Sequence, residues 1–207
     1  MKEPVYIYVH GFNSSPASIK AQIFKREIVQ RSAARVEVPA LSNWPAEAIQ
    51  TLRQLVEQFQ RQPVVLIGSS LGGYYSTWLA EHYDNVRAVL VNPAVRPYAL
   101  LEEWLGENEN LYTHERYELT RDHLQQLIEL DCAELRDPER YLLLTQTGDE
   151  TLDYREAVAK FAASPQFIQP GGSHGFDRFE DLIPAIEAFA EGRIELPAAT
   201  PLPLSSR

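Results

Sequence analysis

Apolar and polar positions along the chain fall into two alternating kinds of segment. Residues 4–10 (PVYIYVH), 63–68 (PVVLIG), 87–91 (RAVLV) and 141–145 (YLLLT) are short, nearly unbroken apolar runs. Their β-branched and aromatic content reads as strands buried on both faces. Residues 36–41 and 166–169 read as shorter strands. Between the strands, apolar residues recur at helical spacing. Ile19, Ile23, Phe24 and Ile28 mark a helix that Ser15 or Ser18 would cap. Ile49, Leu52, Leu55, Val56 and Phe59 mark another, opening at Pro45, and residues 71–83, 154–163 and 182–192 follow. This alternation predicts an α/β fold, a mostly parallel sheet of about six strands covered by helices on both faces.

Two segments break the rhythm. Residues 96–140 carry no strand pattern. They read as a helical insertion, with helices near 100–105 and 119–130 around the charged GENEN, and one this long predicts a small lid. Residues 196–207 (LPAATPLPLSSR) hold three prolines and little to bury, which predicts a disordered tail behind a single domain over 1–195.

Composition narrows the picture. An apolar share of 44% in 207 residues suits one sizeable core. No apolar run reaches the ~18 residues of a membrane span, and the first residues lack a secretory apolar stretch. Cys132 is the sole cysteine, so no disulfide can form within the chain, and a cytoplasmic location is expected. The net charge of −10 comes with no basic patch, which argues against nucleic acid or membrane partners and leaves a small molecule. Residues 68–73 lack a P-loop lysine, and no metal-ligand cluster appears, so neither cofactor nor metal is expected. Nothing in the sequence sets the oligomeric state.

The chemistry concentrates at Gly68-Ser69-Ser70-Leu71-Gly72, a G-x-S-x-G pattern between a predicted buried strand and a predicted helix. There a serine sits on a sharp turn with its Oγ above the strand ends, close to a helix N-terminus. Of the five histidines, His174 lies in the loop after the last strand, at the carboxyl edge of the sheet where Ser70 also lies. It is the candidate base. His82, His114 and His123 read as helical and structural, and His10 as a packing residue of the first loop. Asp149, just after the 141–145 strand, is the candidate carboxylate. Asp153 is its rival, with helix capping as the alternative role. The order Ser70, Asp149, His174 is the one expected of an α/β nucleophile elbow. Oxyanion donors would be the backbone N–H groups of Leu71 and Phe12, with Gly11 allowing close approach. Trp44, Tyr74 and Pro93, with Tyr75 and Trp104, are candidates for lining a substrate pocket.

Together, Tyr8 to Pro16, Ile67 to Tyr75, Asn92-Pro93-Ala94, Gln146 to Tyr154 and Gly171 to Phe176 make the sequence resemble the α/β-hydrolase superfamily. Within it the chain is similar to the YqiA/YcfP-type small esterases. The resemblance spans roughly residues 4–193. It implies hydrolysis of carboxylic esters, with short acyl esters or acyl thioesters, acyl-CoA among them, as substrates. It also implies Asp149 rather than Asp153 by motif position. Two other readings remain: a different reaction on the same scaffold (peptidase, lactonase or lyase), and a catalytically silent binding module.

Overall fold

The computed structural model describes residues 3–204. Six strands form one sheet: β1 (Val5–Val9), β2 (Val36–Glu37), β3 (Val64–Ser69), β4 (Val86–Val91), β7 (Tyr141–Gln146) and β8 (Gln166–Gln169). Their order is β2-β1-β3-β4-β7-β8, and every pairing is parallel. Alternate side chains of each strand enter opposite cores. Val5, Ile7, Val9, Leu66 and Leu90 pack against α2 (Pro45–Gln58), α3 (Leu71–His82) and α5 (Arg121–Glu129). Tyr6, Tyr8, Ile67, Val89 and Leu144 pack against α1 (Ile19–Arg31) and α7 (Ile183–Ala190) on the other face. The four inner strands β1, β3, β4 and β7 are dry on both sides, which is why they are written as continuous apolar runs. The helical patterns resolve as predicted, with α6 at Tyr154–Lys160. No helix among the described residues is long and apolar enough to cross a membrane.

The structure corrects three expectations. The strand read over 36–41 pairs only at Val36–Glu37. The insertion over 96–140 is not wholly helical. After α4 (Pro97–Leu100), the GENE segment forms β5 (Gly106–Glu109), paired antiparallel with β6 (Arg116–Leu119). Leu119 packs into the core, and polar anchors fix the rest of this hairpin. Tyr117 Oη donates to Asn13 Oδ1 at 2.6 Å, and Asn110 Nδ2 donates to the Ser14 carbonyl at 2.9 Å. His114 lies in the hairpin turn at φ 59°, not in a helix.

The third correction concerns the tail. Residues 196–204 do not run free: Leu202 N–H donates to the Pro170 carbonyl at 2.8 Å, and Gly172 N–H donates to the Pro203 carbonyl at 3.0 Å. Counting apolar side chains misses this segment because backbone groups tie it down. Residues 205–207 of the predicted tail lie outside the described residues.

Candidate active site

β3 ends at Ser69, and α3 starts at Leu71. The single residue between them, Ser70, turns the chain at φ 55° and ψ −120°, a region that side chains other than glycine rarely adopt. The turn is held from both sides. Ser70 N–H donates to the Val91 carbonyl, and the Ser70 carbonyl accepts from Gly73 and Ala94. Helix α3 crosses the end of β1 so closely that a Cβ at Gly72 would stand 1.9 Å from the Val9 carbonyl oxygen. A Cβ at Gly11 would stand 3.1 Å from Ser70 Cβ, so the loop after β1 lies directly against the serine. Neither the Phe12 N–H nor the Leu71 N–H donates a hydrogen bond within the described residues. The unpaired amide at Leu71 carries the positive end of α3.

His174 reaches the same place from the loop after β8. Its Nδ1 lies 2.8 Å and 3.0 Å from the two carboxylate oxygens of Asp149. The carboxylate is 1% exposed, and its Oδ1 also accepts the Thr151 and Leu152 N–H groups, each at 2.8 Å. A fixed acceptor at Nδ1 puts the ring proton there and leaves Nε2 as the basic nitrogen. Asp153 instead accepts the Arg155 N–H at the start of α6 and pairs with the Arg155 side chain. Glu150 accepts the His174 N–H at 3.0 Å. Ser70 and His174 line two common cavities and are not joined by a hydrogen bond.

The cavities differ in chemistry. One, about 580 Å³, lies under the insertion and is walled by Leu101, Trp104 and Leu105 beside Leu71. The other, about 490 Å³, lies toward α1 and is walled by Tyr8, Ser18, Lys20 and Tyr112. Phe12 borders both, and its ring meets Trp104 edge-on at 6.0 Å.

Three residues expected to line the pocket are placed elsewhere. Trp44 stacks on the His123 ring at 3.6 Å and docks α5 onto α2. Tyr74 is buried, its hydroxyl donating to the Leu127 carbonyl at 2.7 Å. Pro93 packs against Gly73 of α3. Each aromatic follows a helix start or a strand end in sequence, but its side chain turns into a helix interface. His10 holds the first loop, accepting the Leu41 N–H at Nε2 and approaching the Gly11 carbonyl at Nδ1. Burial lowers its pKa, which favours the neutral ring.

Sequence reasoning missed the groups that hold the histidine loop. Asn92 Nδ2 donates to the Ser173 and His174 carbonyls at 3.0 and 3.2 Å, while its Oδ1 accepts from Gln146 N–H and Thr145 Oγ1. The Gln146 side chain, fully buried, accepts the Ser173 and Asp177 N–H groups. Lys20 Nζ donates to the Gly175 and His174 carbonyls. A polar side chain at a strand end inside an apolar run was the one visible signal.

Solved structures with the same architecture include mouse alpha/beta hydrolase domain-containing protein 10 (TM-score 0.71, 16% identity, 92% of this chain and 90% of that one). Est1E from Butyrivibrio proteoclasticus superposes with a TM-score of 0.69 at 15% identity over 91% and 87% of the two chains. The esterase domain of a Rhodothermus marinus protein does so at 0.65 and 17%, over 92% and 87%. At these identities the likeness is one of fold, and the fold is that of the α/β hydrolases. Residues 5–191 match the family described as "Uncharacterised protein family (UPF0227)", and the chain belongs to that family.

Proposed function

We propose that the protein is a serine esterase that hydrolyses carboxylic esters or acyl thioesters through an acyl-enzyme. The observation that carries this reading is the His174–Asp149 pair, whose carboxylate is buried, on the same cavities as a serine at positive φ. Ser70 Oγ attacks the carbonyl carbon while His174 Nε2 takes its proton. Asp149 keeps the other ring proton on Nδ1 and stabilises the imidazolium. The oxyanion of the tetrahedral intermediate accepts from the Phe12 and Leu71 N–H groups, which no protein acceptor occupies. The carbonyl–leaving group bond then breaks, and His174 returns the proton to the departing oxygen or sulfur. Water, deprotonated by His174, releases the acid. The apolar walls under the insertion suit the acyl chain. The esterase domain from Rhodothermus marinus supports the reading as a shared scaffold.

The test compares p-nitrophenyl butyrate hydrolysis by the wild type and by Ser70→Ala. Loss on the order of 10⁶-fold in kcat, with the melting curve kept, is expected. Hydrolysis surviving in the variant refutes Ser70 as the nucleophile. A silent binding module would show no hydrolysis and no fluorophosphonate labelling of Ser70.

A further inference from the structure

The α1-side cavity contains a cation that the proposed chemistry does not use. Lys20, in the first turn of α1, lines it together with Ser70 and His174. Its ammonium donates to two neutral acceptors, the Gly175 carbonyl at 3.0 Å and the His174 carbonyl at 3.5 Å. Among the described residues no carboxylate lies within ion-pair distance of it. An ammonium has three donors, so one is left for the cavity. Burial lowers the Lys20 pKa to about 8, and the field of Asp149 opposes the shift only in part. A partly desolvated cation is ordinarily matched by an anion in contact, and the carboxylate whose field reaches Lys20, Asp149, is bound to His174 Nδ1 instead.

Other polar groups on this wall are also unmatched. Ser18 Oγ is buried, lines the cavity and has no hydrogen-bond partner among the described residues, and the buried Tyr8 Oη lines it beside Ser69. The remaining charges are committed or solvated. Asp177 accepts the Ser173 hydroxyl at 2.7 Å, Arg178 pairs with Asp181 at 2.6 Å, and Glu180 is exposed. The protein carries a net charge of −10, so its overall field gives an anion no help. Selection for one would depend on the local ammonium.

We infer that the α1-side cavity is the leaving-group subsite, and that it takes a leaving group bearing a carboxylate or a phosphate, with Lys20 as its counter-ion. The inference rests on the esterase reading above. With the acyl chain under the apolar insertion, the alcohol half of the substrate extends past His174 toward Lys20. The bond broken is the one between carbonyl carbon and leaving oxygen, and the proton on that oxygen comes from His174 Nε2. The anionic group keeps its charge throughout, so Lys20 orients without taking part in proton transfer.

The test measures kcat/KM for three aryl butyrates: p-nitrophenyl butyrate, its analogue with a carboxylate on the phenol ring, and its analogue with a phosphate there. Each is assayed with wild type, Lys20→Met and Lys20→Arg. The readout is the ratio of anionic to neutral ester, which does not depend on how much of a variant is folded. Lys20→Met is expected to lower that ratio about 10- to 100-fold for the preferred anion, and Lys20→Arg to retain most of it. The ester with the larger fall identifies carboxylate or phosphate. A ratio unchanged in Lys20→Met for both anionic esters overturns the inference, and Lys20 then serves only the histidine loop. Failure of the esterase reading would look different, with p-nitrophenyl butyrate hydrolysis persisting in Ser70→Ala.

Discussion

Ser70 and His174 arrive at one place by opposite means. Ser70 is held by its own backbone, pinned between the Val91 carbonyl behind it and the Gly73 and Ala94 amides ahead of it. His174 is held by side chains from elsewhere, namely Asp149, Glu150, Asn92, Gln146 and Lys20. The turn depends on backbone groups, which are the same whatever the side chains at Val91, Gly73 and Ala94. A loop braced by distant side chains is specified by residues 24 to 154 positions away. The first is robust to exchange of exposed side chains, whereas the second can be loosened one hydrogen bond at a time.

The largest effect should come from the carboxylate. Asp149→Asn presents an amide to Nδ1 and favours the wrong tautomer, so kcat should fall about 10⁴-fold with little loss of fold. Asp153→Asn, which only loosens the start of α6, should stay within about twofold. Comparable losses in the two variants would show that the carboxylate assignment is mistaken.

Asn92 tests the bracing more gently. It sits at φ 40°, so Asn92→Gly deletes the amide without adding backbone strain. We expect kcat to drop about 10- to 100-fold with KM nearly constant, as a base displaced by a fraction of an ångström would produce. Urea unfolding should show a loss of about 1–3 kcal/mol for the unmatched partners. An unchanged kcat beside a lowered midpoint would make Asn92 purely structural.

The smallest effect concerns the insertion, whose anchor can titrate where the histidine loop's amides cannot. His123 Nδ1 accepts the Thr120 N–H at 3.1 Å, while Nε2 is buried without a partner. Burial lowers its pKa below the ordinary 6.5, so the unfolded chain takes up a proton that the folded ring resists. Stability should therefore fall as pH drops through about 6.5. His123→Gln keeps a capping box that does not titrate and should remove that part of the pH dependence in melts between pH 7.5 and 5.5.

Legibility in the sequence follows the same divide. The sheet could be read because dry strands must be apolar at every position, and the elbow because the residues flanking Ser70 meet backbone on all sides. The hairpin could not, because Gly106–Glu109 and Arg116–Leu119 form a charged ribbon that buries little beyond Leu119 and is anchored by Asn13, Asn110 and Tyr117. Trp44 and Tyr74 misled for a related reason: aromatic residues near strand ends serve helix docking as readily as a pocket. Candidates for the triad could be named from loop position, with Asp153 left as the rival of Asp149. Asn92 and Gln146, which brace it, gave away only that a polar residue ended each strand.

The conformation of Ser70 sets conservation of stability against conservation of use. At φ 55° and ψ −120° a side chain costs on the order of 1–3 kcal/mol, and a glycine would carry little of that cost. A lineage released from selection for chemistry would gain thermodynamically by drifting to glycine at position 70. Serine there is a standing load on the fold that glycine would relieve.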